Sequence, residues 1–312
     1  MAIQWYPGHM NATRKALAER LPDIDVVIEL LDARLPGSSS NPLLASLTEG
    51  KPALKVLNKQ DLADPELTDE WLAHLRTQPG QQAIALDASI TAPARQLLPA
   101  CRALVPLRGG MVKPVRVLIC GIPNIGKSTL INTLVGQRAA KTGDEPGITK
   151  MEQKIVLADD FYLFDTPGML WPRIVVEESG VHLAASGAIG RNAYDDPDVA
   201  LALLARVRER HAARLAARYK LADLAALSDE AVLTAIGRQR GGLRPGGKVD
   251  LQKAAEIAIH DFRTGAWGRI TLETPAEFSA WQAAGLAREA EREAERQARR
   301  AARKGAPRAE EA

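Results

Sequence analysis

The chain predicts an α/β domain, a mostly parallel sheet with helices on both faces, followed by a small all-α domain. Three observations carry that expectation. Short apolar runs, Ile24 to Leu31, Ala53 to Leu57 and Val115 to Cys120, each end in a polar loop, as strands buried on both faces of a parallel sheet do. The last leads through Gly121-Ile122-Pro123-Asn124-Ile125-Gly126-Lys127-Ser128 into a helix, the strand–loop–helix setting of a phosphate-binding loop. Beyond Val176, aliphatic residues recur at helical spacing, and strand-like alternation returns only at Arg269 to Leu272.

Composition bounds the function. A chain of 312 residues has room for about two domains with their own cores. Its 46% apolar and 25% charged residues are those of an ordinary soluble protein. No apolar run approaches the roughly 18 residues of a membrane span. The start MAIQWYPGHM lacks the charged and apolar regions of a signal peptide, so a cytoplasmic location and no membrane partner are expected. Cys101 and Cys120 fall in apolar runs and read as buried, reduced thiols rather than a disulfide or zinc site. A net charge of +3 and a pI near 8.9 are compatible with an RNA partner but do not single one out.

In chain order, IQWYPGHMNATRKALAER sets a Pro-Gly turn before a surface helix that Asn11 or Thr13 could cap. The strand from Ile24 ends in Asp32-Ala33-Arg34, the loop LPGSSSNP follows, and a short helix begins at Leu43. The strand Ala53 to Leu57 runs into Asn58-Lys59-Gln60-Asp61. At the carboxyl end of a parallel strand, where such sheets bind ligands, Asn-Lys-x-Asp reads guanine. The Asp61 carboxylate can accept from both N1–H and the 2-amino group of guanine, a donor pair that adenine lacks. Lys59 would lie along the base plane and Asn58 would tie this loop to the phosphate loop. The lesser alternative is a strand-ending loop with Asp61 capping a helix. A helix from Asp69 to Arg76 and a strand from Gln82 to Leu86 precede Asp87-Ala88-Ser89, where the Ala88 N–H could face the guanine carbonyl. The order of residues there is altered from the usual Ser-Ala, which leaves Asp87 and Ala88 open.

A helix from Gln96 to Leu104 and the linker VPLRGGMVKP lead to the phosphate-loop strand. N–H groups between Gly121 and Lys127, among them those of Asn124, Ile125 and Gly126, can line an anion nest. The helix start at Ser128 and Thr129 adds its dipole, and Lys127 adds a full charge at the β and γ phosphates. Ser128 would offer its hydroxyl to Mg²⁺, with Thr149 in TGDEPGIT as the second candidate ligand. Strands Lys154 to Leu157 and Phe161 to Phe164 form a hairpin across Asp159-Asp160. They deliver Asp165-Thr166-Pro167-Gly168, in which Asp165 would hold Mg²⁺ through water and the Gly168 N–H would meet the γ-phosphate.

The guanine reader precedes the phosphate loop, the reverse of an ordinary small GTPase. In this order the chain resembles the circularly permuted P-loop GTPases. WYPGHM, LLDARLPGSSSNP, NKQDL, GIPNIGKSTLIN, PGIT and DTPGMLWP look like the bacterial ribosome biogenesis GTPase A family. The likeness spans roughly Ile3 to Glu273, since GGLRPGGKVDLQKAAEIAIHDFRTGAWGRITLE also looks like that family. The resemblance implies a GTPase using GTP/GDP with Mg²⁺ that acts late in assembly of the large (50S) ribosomal subunit, binds its precursor and rRNA, and is stimulated by it. DNA is not an expected partner. The alternative is a nucleotide-gated RNA-binding switch whose hydrolysis is incidental.

Met169 stands where many small GTPases keep a glutamine that orients the attacking water, and a thioether cannot do that. The resemblance points to His9 for the task, though an exposed turn histidine looks the same in sequence. It likewise implies that Asn124 helps hold a K⁺ ion, where the residue alone is equally a turn former. The division expected is a permuted GTPase domain over 1–175, a helical RNA- or ribosome-binding domain over 176–285 and a charged tail over 286–312. In the helical part, Arg238, Arg240, Arg244 and Lys248 flank a Gly-rich loop that suits phosphates or is simply solvated. The tail sets Arg288, Arg292, Arg296 and Arg300 on one stripe if helical; otherwise it is a disordered, solubilising segment.

Overall fold

The computed structural model describes residues 3–110, 112–136 and 153–305. Helix α1 (His9–Arg20) precedes β1 (Val26–Asp32), and two short helices, α2 (Pro36–Ser39) and α3 (Pro42–Leu47), lead to β2 (Ala53–Asn58). Then come α4 (Pro65–Arg76), β3 (Gln81–Ala85), α5 (Thr91–Arg95), α6 (Leu97–Leu104), β4 (Val115–Gly121), α7 (Lys127–Val135), β5 (Gln153–Ala158) and β6 (Phe161–Asp165). Thereafter the described chain is helical: α8 (Glu177–Ser186), α9 (Asp196–Tyr219), α10 (Asp229–Arg240), α11 (Leu251–Arg263) and α12 (Pro275–Gly305).

The six strands form one sheet in the order β3-β2-β1-β4-β6-β5. All neighbours are parallel except β5 and β6, which make the expected hairpin. Every residue of β1 and β2 is buried, which is why those segments read as nearly continuous apolar runs, interrupted only where Glu29 and Lys55 pair across the strands. Alternate residues of β1 serve opposite faces. Leu30 joins the large core, which runs from the sheet into Leu183, Leu203 and Phe262 of the helices, while Leu31 joins a second cluster with Leu57 and Trp71.

This topology positions the site. From β1 the chain winds outward through β2 and β3, whereas β4 leads to β6 on the other side. A crevice opens at the carboxyl ends of β1 and β4, where such sheets take ligands. The register pairs Asp32 with Asn58 and Leu30 with Gly121, so the loops leave the sheet at one level.

Several elements differ from expectation. Helix α1 begins at His9 with Gly8 as an uncapped N-cap, so Asn11 and Thr13 lie inside it; the Thr13 hydroxyl donates back to His9 O instead. The loop LPGSSSNP contains the turn α2. Helix α4 starts at Pro65 because Asp64, not Asp61, caps it by accepting from Glu66 and Leu67 N–H. Residues 269–272 form no strand; they lie extended against the sheet's loops, Ile270 donating to Leu62 O and Leu272 to Arg34 O. The charged segment from 286 continues α12 without a break to Gly305, and residues 306–312 lie outside the described part.

Candidate functional site

The phosphate loop is shaped by residues that only a small or left-handed position admits. Gly121 has φ 152°, and a Cβ there would sit 2.7 Å from Leu30 O. Gly126 has φ 102° and lies against the Asn58 amide; Asn124 takes a left-handed φ of 56°. Ile125 is buried beneath the loop, and Ser128 and Thr129 open α7 half-buried. Lys127 is buried and folds back over the loop, donating to Gly121 O at 3.2 Å and Ile122 O at 3.0 Å. Burial lowers its pKa, and the nearby Asp165 carboxylate opposes that shift. An ammonium held by carbonyls beside a helix start is a receptor for anions.

Asp165 ends β6 facing that lysine. It is 1% exposed, and its Oδ1 has no hydrogen-bond partner among the described residues. Burial raises its pKa to about 6, against the pull of Lys127 and the Thr166 N–H. A buried carboxylate oxygen without a donor is costly unless a cation meets it. The Asp165 carboxylate and the Ser128 hydroxyl are hard oxygens of the kind Mg²⁺ takes. Thr149, the other expected ligand, lies outside the described residues.

After β6 the chain turns back over the phosphate loop. Thr166 Oγ1 donates to Ile119 O, and Gly168 passes so close to Pro123 that a Cβ would lie 2.7 Å from its Cα. Met169 N–H donates to Gly121 O at 3.2 Å, while its side chain is buried in the core and offers nothing to a water. Asn41, which caps α3, donates to Met169 O at 2.8 Å. Helix α1 packs here too, with Met10 Sδ 3.4 Å from Leu170 N; His9, the residue before Met10, is exposed.

Across the crevice, Asn58 is a buried clip: its Nδ2 donates to Ile125 O at 2.7 Å and its Oδ1 accepts from Ala88 N–H at 2.9 Å. The Ala88 N–H, which the sequence offered to the guanine carbonyl, here donates to Asn58. Asp87 is likewise engaged locally, its carboxylate accepting from Ser89 N–H and Oγ. Lys59, at φ 62°, reaches back to Asp32 Oδ2 (3.0 Å) and Asn124 O (3.1 Å). Gln60 is half-buried behind it and Asp61 is exposed at the mouth.

Sequence reasoning passed over Arg34. It is 1% exposed and grips Asp32 with two bonds, Nε to Oδ1 at 2.9 Å and Nη2 to Oδ2 at 2.8 Å. Burial works against the Asp32 charge, yet Arg34 and Lys59 together hold its carboxyl well below the usual range. The same guanidinium donates to Phe262 O and Arg263 O of α11 and stacks on the Phe262 ring. Asn124 Nδ2 donates to Gly187 O at the end of α8 at 2.9 Å. The phosphate loop and the loop after β1 are thus each bonded to the helical part, and Lys59 joins the Asn58–Asp61 loop to them through Asp32. An Asp-x-Arg closing a buried strand was the available signal.

A family profile described as 50S ribosome-binding GTPase matches residues 116–233. The chain is 42% identical over 285 residues to Ribosome biogenesis GTPase A of Bacillus cereus, covering 89% of this chain and 96% of that one. Two solved structures are similar. YlqF in its GDP-bound form matches with a TM-score of 0.60 at 25% identity, over 84% of this chain and 99% of the other. GNP-bound YlqF from T. maritima matches with a TM-score of 0.59 at 26% identity, over 85% and 98%.

Proposed function

The chain belongs to the ribosome biogenesis GTPase A family, and from that premise we propose that it acts late in maturation of the large (50S) ribosomal subunit. It is a GTPase with a role in ribosome assembly. In this reading the GTP form docks on the rRNA of a 50S precursor in the cytoplasm, and hydrolysis releases it. Among the described residues no helix is long and apolar enough to cross a membrane.

The observation that carries the reading is the Asn58 clip. It joins the loop that carries Asp61 to the phosphate loop; Asn124 of the phosphate loop bonds to Gly187 after α8, and Lys59 of the other loop reaches α11 through Asp32 and Arg34. A nucleotide entering the crevice meets Lys59, Asn124 and Lys127, groups that now hold protein carbonyls and Asp32. Changing those bonds loads Arg34 and Gly187, and so the helices over 176–285 that we assign to the ribosome. Single-turnover hydrolysis with and without 50S precursors tests this. Stimulation by the particle is expected; none would favour a nucleotide-gated RNA switch with incidental hydrolysis, a reading to which the buried Met169 lends weight.

Ser128, Asp165 and Thr149 would hold Mg²⁺, which supplies positive charge to the β and γ phosphates. Lys127 adds to that charge, and the Gly168 N–H marks the γ-phosphate. We assign His9 the positioning of the attacking water, since an unprotonated imidazole nitrogen accepts a hydrogen bond from water and the Met169 thioether does not take that role. His9→Ala should leave GTP binding intact and lower particle-stimulated turnover by roughly 10²- to 10⁴-fold. Undiminished turnover removes His9 from the mechanism.

We also assign the Asn124 amide oxygen to a K⁺ ion that offsets charge developing between the phosphates. The bond from Nδ2 to Gly187 O fixes how that amide is turned. Turnover in KCl should exceed that in NaCl at equal ionic strength by about tenfold or more. Equal rates in the two salts would dismiss the ion.

A further inference from the structure

Helix α12 outlasts the body it starts on. Its first turns are anchored: Phe278 meets Trp71, Trp281 meets His182, and Glu277 accepts from Arg206 and Arg210. Gly285 lies against Val175 O, and Arg173 reaches Glu289. From 290 to 300 every residue is exposed, and the helix runs on to Gly305. The projecting stretch is about 24 Å long.

Its charges are sorted rather than mixed. At the helical pitch, Arg288, Arg292, Arg296 and Arg299 fall in one sector about 80° wide. Glu289 and Glu293 border it on one side, Glu291 and Glu295 on the other. At i, i+4, Arg288–Arg292 and Arg292–Arg296 repel, and Glu289–Arg292, Glu293–Arg296 and Glu295–Arg299 on the borders of the stripe offset that repulsion. A polyanion lying along the stripe would neutralise the arginines further. Alanine is the sole apolar residue from 287 to 305, so the arm has neither the seam of a coiled coil nor the apolar face of a membrane-surface helix. Guanidinium groups spaced along a rod suit a polyanion with regularly spaced phosphates.

We propose that the arm over 288–305 lies along the phosphate backbone of double-helical RNA. This rests on the reading that the partner is a ribosomal particle. The arm projects beyond the part of α12 that packs on the body, so it adds grip on RNA and does not alter hydrolysis.

The test uses the full-length protein in a GTP analogue and a 20-base-pair RNA duplex of arbitrary sequence. Binding is titrated against salt for the wild type, for the triple variant Arg292→Gln, Arg296→Gln, Arg299→Gln, and for Glu291→Gln, Glu293→Gln, Glu295→Gln. Losing three phosphate contacts should reduce the slope of log affinity against log salt by about 2 to 3. The glutamate triple should bind more tightly, and because it keeps all the arginines it decides the matter should the arginine triple lose helicity by circular dichroism. Unchanged slope and affinity in both variants would overturn the proposal. So would polyglutamate competing as well as RNA at equal charge, which points to an acidic protein surface. Stimulation of hydrolysis by 50S precursors is measured on the same samples. If the wild type is stimulated but the slopes coincide, the arm assignment alone fails; if stimulation is absent, the assembly role fails whatever the slopes.

Discussion

Asp61→Asn exchanges GTP for xanthosine triphosphate as the preferred nucleotide, with GTP affinity falling by roughly 10²- to 10⁴-fold. The carboxylate accepts from two guanine donors, N1–H and the 2-amino group. An amide in its place still accepts once, but its NH₂ is driven against the 2-amino group, and each donor is left without an acceptor. Xanthine carries an oxygen at that position, which the new NH₂ can meet. The fold is spared, because Asp61 is exposed and α4 is capped by Asp64. Titration of both nucleotides into wild type and variant checks this, with thermal melting as the control. Undiminished GTP affinity would remove Asp61 from base recognition, and with it the identification of the nucleotide.

Arg34→Met destabilises the protein by about 3–5 kcal/mol, the scale for breaking one side of a buried ion pair. Asp32 keeps only Lys59 as a cationic partner and loses both guanidinium bonds. Phe262 O and Arg263 O lose their donor, and the ring of Phe262 loses its stacked cation. Denaturant unfolding at pH 7 measures the loss. The acid limb should move as well. In the wild type Asp32 is held below its unfolded pKa, so its contribution is fully present above about pH 5 and is lost only in strong acid. Without Arg34, burial dominates, the folded pKa rises, and the cost shrinks as pH falls toward 4. A loss below about 1 kcal/mol with an unchanged acid limb would show that the cluster is not what joins sheet to helices.

What could be read from the chain follows from physical range. Strands β1, β2 and β4 were legible because burial on both faces leaves continuous apolar runs, and the phosphate loop because glycine positions recur at a fixed spacing. The turn α2 was not, because what holds it lies far along the chain. Ser38 donates from N–H and Oγ to the fully buried Glu273, which His182 also contacts. No local pattern announces such a cluster. Arg34 was missed for the same reason: its acceptors on α11 are more than two hundred residues away. The bond from Ala88 N–H to the Asn58 side chain was not legible either, since it depends on two loops that the sheet brings together from thirty residues apart. The helical continuation past 286 could not be decided from composition, because Ala, Arg and Glu serve an exposed helix and a solvated coil alike.

The central claim is that the nucleotide governs docking on the large subunit. Sedimentation of the protein with 50S precursors through a sucrose cushion, in a non-hydrolysable GTP analogue and separately in GDP, tests it most directly. The expected result is co-sedimentation in the analogue and protein left in the supernatant in GDP. Equal pelleting in the two states, or pelleting with the small subunit instead, would contradict it.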